Sequence, residues 1–160
     1  MRFILTVSLL FFSISLFAQS YAGKVTAVKD GDTIEMLVNG KPVRVRLFGI
    51  DCPEKGQPFG EKARQYTAGL CFGKTVTAVQ RSRDPYGRIV ADVYLADRRF
   101  LNETLVTAGY AWHYKKFSKS EVLAEAEKKA RAGKQGLWAD ASPVAPWNWR
   151  KQKGTVYSAR

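Results

Sequence analysis

At 160 residues the chain suffices for one domain with a proper core, and its aromatic and aliphatic content is that of a globular protein rather than of two domains or a disordered polymer. Its 26 Lys and Arg against 14 Asp and Glu give a formal net charge of +12, which favours polyanionic partners such as nucleic acid or an anionic membrane surface. Two cysteines and one histidine fall short of a structural zinc site.

The N-terminus reads as an export signal. Arg2 supplies a positive start, Phe3 to Phe17 is an apolar run broken only by Thr and Ser, and Ala18-Gln19-Ser20-Tyr21-Ala22 offers small residues for a signal peptidase. Cleavage after Ala22 satisfies the small-x-small rule and defines residues 1–22 as a signal peptide. The run is short for a membrane span of about 20 residues, so the mature chain is expected to be exported, either secreted or periplasmic, with no membrane attachment.

From Gly23 onward the pattern is strand, turn, strand, turn, strand. Lys24 to Lys29 ends at the turn Asp30-Gly31-Asp32, Thr33 to Val38 ends at Asn39-Gly40, and Val43 to Leu47 alternates apolar with basic residues. That alternation puts Arg44 and Arg46 on one face, opposite Val43, Val45 and Leu47. Asp51-Cys52-Pro53-Glu54 opens a loop marked by Gly56 and Pro58. A helix is expected over Gly60 to Phe72, a fourth strand over Thr75 to Gln80, a turn at Asp84-Pro85-Tyr86-Gly87 and a fifth strand over Ile89 to Leu95. Asn102 reads as the cap of a short helix to Thr107, and Ser118 or Ser120 as the cap of a last helix to Arg131. Residues 141–160 read as a basic tail with Pro and Trp that packs loosely. The order predicts an α+β protein, a five-stranded OB-fold barrel with about three helices.

Three carboxylates and two arginines stand out on this scaffold. Asp32 and Asp51 end different strands, which a barrel can bring to one mouth, and two carboxylates with a backbone carbonyl and waters suit calcium, which tolerates irregular oxygen shells, better than magnesium. Arg46 and Arg88 offer guanidinium forks to phosphate oxygens, and Glu54 offers a base for water. This is the equipment of a metal-assisted phosphodiesterase. Cys52 and Cys71 could pair in an oxidising compartment or stay as small buried hydrophobes; His113 lacks an orienting partner that would make either a nucleophile.

The segments Asp30-Gly31-Asp32-Thr33, Arg46 to Glu54, Asp84-Pro85-Tyr86-Gly87-Arg88 and Gly136-Leu137-Trp138, in that order, resemble the staphylococcal nuclease (thermonuclease) family, over a domain of residues 23–140. The resemblance implies an OB-fold and calcium-dependent cleavage of DNA and RNA without strong sequence specificity. It further implies Ca2+ held by Asp32, Asp51 and the main-chain carbonyl of Cys52, the scissile phosphate held by Arg46 and Arg88, and Glu54 as general base. Threonine is common in the family where Cys52 stands, but a carbonyl ligand does not depend on the side chain. Pro85 replaces a family lysine, Tyr86 is retained for substrate, and Tyr114 with Phe117 are candidates for stacking on a base. No stable protein partner is implied, and a monomer is expected. A catalytically silent OB module that binds nucleic acid is the alternative. A membrane-binding cationic protein is a third reading, for which Lys128 to Lys134 offers only a modest amphipathic basic stretch.

Overall fold

A computed structural model of the chain describes residues 19–158, with side chains to residue 152. Five strands close a barrel: β1 (Ser20–Asp30), β2 (Thr33–Val38), β3 (Lys41–Leu47), and, beyond the short β4 (Ile50–Asp51), β5 (Thr75–Arg83) and β6 (Ile89–Tyr94), in the spatial order β1-β2-β3-β6-β5. Helix α1 (Gly60–Cys71) lies between β4 and β5. Helix α2 (Leu101–Thr107), the short β7 (Trp112–His113) and α3 (Glu121–Ala132) follow, then a 3-10 turn (Gly136–Ala139) and α4 (Pro146–Ser158). The expected α+β class and five-stranded barrel are what is observed, with one helix more than expected.

The barrel follows from the strand pattern. Alternate residues Ile34 and Met36 of β2, Val45 and Leu47 of β3, Val76 and Ala78 of β5, and Ile89, Ala91 and Val93 of β6 face inward and are fully buried. Each large aliphatic among them contributes about 1.5–3 kcal/mol by leaving water. Asn39 and Gly40, both at positive φ (50° and 75°), make the tight turn that matches strand twist between β2 and β3. Leu101, Leu105 and Val106 of α2 and Leu123 of α3 extend the same core on the outside of the barrel.

Closure fixes one row of the site. The β2–β3 ladder sets Thr33 opposite Arg46, and the parallel β3–β6 ladder sets Arg46 beside Val90, two residues after Arg88. Residues 30 to 33, 46 and 88, distant in sequence, therefore meet at one end of the barrel.

Several boundaries differ from those read in the sequence. β1 begins at Ser20, so Ser20, Tyr21 and Ala22 pair with Val79, Ala78 and Thr77, and Tyr21 Oη donates to Gln80 Oε1 at 3.1 Å. The rest of the expected signal peptide, through residue 18, lies outside the described residues. Asn102 does not cap α2; Phe100 holds the cap position, and Asn102 sits in the first turn, fully buried. Its Oδ1 accepts from Val93 N (3.1 Å), and its Nδ2 donates to Phe48 O (2.9 Å) and Ala91 O (3.3 Å). Ser120 does cap α3, accepting from Leu123 N. The segment expected to pack loosely is instead docked through α4. Ala145 is buried, and Trp147 lies flat on Tyr114 (ring centroids 5.1 Å apart, planes 3° apart) with its edge relation to Trp112 at 5.5 Å. Cys52 and Cys71 are both free and buried in the core.

Candidate active site

Asp30-Gly31-Asp32-Thr33 turns β1 into β2. Asp30 Oδ1 accepts from Asp32 N at 3.1 Å, and Thr67 of α1 donates its hydroxyl to Gly31 O at 2.6 Å, which ties the turn to the helix. Glycine is needed at 31 because a Cβ there would stand 2.7 Å from Cys52 Cβ. The turn is thus pressed against the segment carrying the second aspartate. Cys52 N donates to Asp32 Oδ2 at 2.7 Å, joining the two directly.

Arg46 bridges the acidic pair. Its Nη1 lies 2.6 Å from Asp32 Oδ2 and its Nη2 2.9 Å from Asp51 Oδ1, so one guanidinium answers two carboxylates that are 5% and 1% exposed. Compensation is incomplete at Asp32. Burial pushes its carboxyl well above the ordinary range, Arg46 pulls it down, and Asp30 and Asp51 push it up again. Burial opposes the charge on Arg46, but Asp32 and Asp51 outweigh it and leave that side chain a stronger base than usual.

Glu54 follows on the loop into α1. Its N–H donates to Gln57 Oε1 (2.9 Å), and its carbonyl accepts from Gln57 N (2.9 Å), while Gln57 Nε2 donates to Val144 O (2.7 Å). Gly60 packs so tightly beneath that a Cβ would meet Glu54 O at 2.0 Å. The Glu54 backbone is therefore fixed while its carboxylate points into the mouth.

Arg88 is held by a turn that Asp84 builds. Asp84 Oδ1 accepts from Tyr86 N and Arg88 N, each at 3.0 Å, and its Oδ2 accepts from Arg88 Nε at 2.6 Å. Burial opposes the Asp84 charge, but these bonds to Arg88 win and lower its carboxyl below the usual value. Arg88 Nη1 reaches Thr33 Oγ1 at 3.5 Å and its guanidinium lies 5.7 Å from the Tyr86 ring centre.

A cavity of about 610 Å3 opens over these groups, lined by Asp32, Arg46, Asp51, Cys52, Glu54, Tyr86, Arg88 and Tyr114, so all eight sequence-derived site residues border one space. Tyr86 is highly exposed at its rim. Tyr114 differs from the expectation of an open stacking platform: Trp147 covers one face and Phe117 meets its edge at 4.9 Å. The Cys52 thiol is buried, and burial with Asp32 nearby raises its pKa well above normal; burial lifts Cys71 to about 11. Both stay thiols at neutral pH and neither is a nucleophile.

Arg150 of α4 also lines the cavity, which nothing in the sequence spacing announced. Asp84 and Gln57 were likewise missed as supports, although Asp84 lies within a quoted motif. Among the described residues no three His, Cys, Asp or Glu side chains form a metal cage. The carboxylates present nonetheless suit a hard cation: two buried aspartates converge, drawn together by the Arg46 guanidinium, and burial leaves the charge of Asp32 incompletely compensated.

Comparison with known proteins agrees with this geometry. A family model described as Staphylococcal nuclease homologue matches residues 44–140. An Escherichia coli protein described as an uncharacterized endonuclease is 42% identical over 153 residues, 96% of this chain and 100% of that protein. A Shigella flexneri protein described as micrococcal nuclease is 39% identical over 141 residues, 82% of this chain and 81% of that protein. The Arabidopsis thaliana staphylococcal-like nuclease CAN1 is 40% identical over 116 residues, 72% of this chain but 36% of its own length. With its barrel, its acidic pair and the arginines around one mouth, this chain belongs to the staphylococcal nuclease family.

Proposed function

We propose that the protein is an exported, calcium-dependent endonuclease that hydrolyses phosphodiester bonds of DNA and RNA without strong sequence preference. Family membership supports the nuclease activity. The observation that carries the rest is the convergence of two buried aspartates, a carboxylate on a fixed loop and two arginines on one cavity in a chain of net charge +12.

Asp32, Asp51 and the main-chain carbonyl of Cys52 would hold the cation, which when bound polarises the phosphate and eases loss of a proton from water. Arg46 and Arg88 bind the non-bridging phosphate oxygens. They stabilise the charge that grows as phosphorus becomes five-coordinate, and as guanidiniums they cannot surrender a proton at working pH. Glu54 orients the attacking water and accepts its proton, and the Gln57 bonds fix the backbone that carries that side chain. Tyr86 and the free parts of Tyr114 and Phe117 contact sugar or base by stacking, which tolerates any sequence.

Incubation of the protein with single-stranded DNA, double-stranded DNA and RNA, with calcium or with chelator, tests the reading. Cleavage of all three in calcium and of none in chelator is expected. Cleavage in chelator defeats the metal role, and calcium-independent binding without cleavage favours a silent nucleic-acid-binding module.

Export rests on the apolar N-terminal run. Because Tyr21 is half-buried in the barrel wall and bonded to Gln80, we place processing no later than Ser20, where Ala18-Gln19-Ser20 also fits the small-x-small rule. The mass of the exported chain reads this directly. A mature chain beginning at Gly23 would contradict it.

A further inference from the structure

Arg150 is brought to the active site by an anchored helix. Gln57 bonds to Val144 O at 2.7 Å, Ala145 is buried, and Trp147 stacks on Tyr114 and meets Trp112 edge to face. Arg150 lies three residues after Trp147, on the next turn and the same side of α4. It spans the acidic centre from above: Nη2 to Asp51 Oδ2 at 2.8 Å, Nη1 to Asp51 Oδ1 at 3.3 Å, and Nη1 in direct contact with Glu54 Oε1. Both oxygens of Asp51 are thereby engaged, since Arg46 shares Oδ1.

The position has consequences for what can bind there. Any cation that takes Asp51 must displace Arg150 or sit against its positive charge, so the two compete for one carboxylate. The Arg150 side chain is 43% exposed, whereas that of Arg46 is 17% exposed, so Arg150 is the freer of the two to leave. Once released it remains tethered one turn from Trp147, beside Glu54, where a water attacking a phosphate must lie. A displaced guanidinium at that place meets a new anion, and its planar fork suits phosphate oxygens.

We propose that Arg150 is a third guanidinium of the active site, which neutralises Asp51 and Glu54 in the metal-free protein and, when the cation takes Asp51, is handed to the phosphate of the bound strand beside Glu54. It lies ten residues beyond the family match, which ends at residue 140. The exchange makes cation and nucleic acid bind cooperatively: each supplies the partner that the other removes. This inference rests on the nuclease reading above.

The test uses full-length wild type, Arg150→Ala, Arg150→Lys and, as a control for lost charge, Arg44→Ala on the outer wall of the barrel. Calcium affinity is measured by calorimetry without nucleic acid, and kcat and KM on a labelled single-stranded oligonucleotide in saturating calcium. Removing the competitor should tighten calcium binding about three- to tenfold in Arg150→Ala, while losing the phosphate contact should lower kcat/KM roughly ten- to a hundredfold. Arg150→Lys should recover part of both, and Arg44→Ala should change neither. Unchanged or weaker calcium binding in Arg150→Ala overturns the proposal, as does unchanged kcat/KM. Wild type that neither binds calcium nor cleaves would instead defeat the functional reading itself, and this proposal with it. Tryptophan fluorescence of the variants confirms that α4 stays docked, so that a lost helix is not mistaken for a lost guanidinium.

Discussion

Replacing Asn102 by alanine removes a side chain that is fully buried and satisfies three backbone groups. Val93 N loses its acceptor and Phe48 O loses a donor. Ala91 O keeps a bond from Phe48 N at 2.8 Å, so it counts for little. A buried donor left without a partner costs about 1–3 kcal/mol and a lost bond at a carbonyl about 1 kcal/mol, for a total of roughly 2–4 kcal/mol. Against a total stability of about 5–15 kcal/mol this is a large share. It should lower Tm by roughly 5–15 °C for a chain of this size. The bond to Phe48 also fixes the turn between β3 and β4 that delivers Asp51, so the damage reaches the site. Urea unfolding monitored by fluorescence gives the number. A loss below about 1 kcal/mol would refute the accounting, showing that water or a shifted backbone satisfies Val93 N.

Three further predictions follow from the site's electrostatics and supports. Asp32 carries a raised pKa when folded, so it binds more protons folded than unfolded in the window above 3.8, and its contribution to stability is full below that value and lost as pH rises through the folded value. Asp32→Asn, which cannot ionise, should therefore melt above wild type at pH 8 in chelator and lose that advantage towards pH 4; a lower Tm at pH 8 would contradict the assignment. Calcium at a hundredfold its Kd should stabilise wild type by about 2.7 kcal/mol and leave Asp32→Asn unmoved in a thermal melt. Asp84→Asn keeps an acceptor for Tyr86 N and Arg88 N, whereas Asp84→Ala loses the turn as well as the Arg88 Nε bond. The alanine variant should lose about tenfold in kcat/KM and the asparagine variant clearly less, because the turn positions Arg88; equal losses would show that charge alone matters.

What could be read from the sequence depended on how local its cause was. The barrel strands announced themselves through alternation, as in Val43 to Leu47, and through the turns at Asp30-Gly31-Asp32 and Asn39-Gly40, whose geometry these residues supply by themselves. The aspartates and arginines of the mouth were identifiable because they sit inside compact motifs. Asn102 shows the limit: beside a helix start its amide suggests a cap, but its partners, Phe48, Ala91 and Val93, are brought to it only by barrel closure. β4 and β7, two residues each, are too short to show any period. The docking of α4 was hidden because Trp147 reads as an exposed aromatic until Tyr114, from a distant loop, offers its face. Arg150 was invisible because no spacing rule links residue 150 to residues 51 and 54.

The central claim is that Glu54, held beside the acidic pair, activates water for attack on a phosphodiester. The direct measurement is the single-turnover cleavage rate of a labelled oligonucleotide in saturating calcium, as a function of pH, for wild type and Glu54→Gln. Glutamine keeps the shape and one acceptor but cannot take a proton. The variant should cleave about 10²–10⁴ times more slowly and lose the acid limb of the pH profile, while binding calcium and the oligonucleotide with near wild-type affinity. Cleavage at the wild-type rate and pH profile would contradict the account.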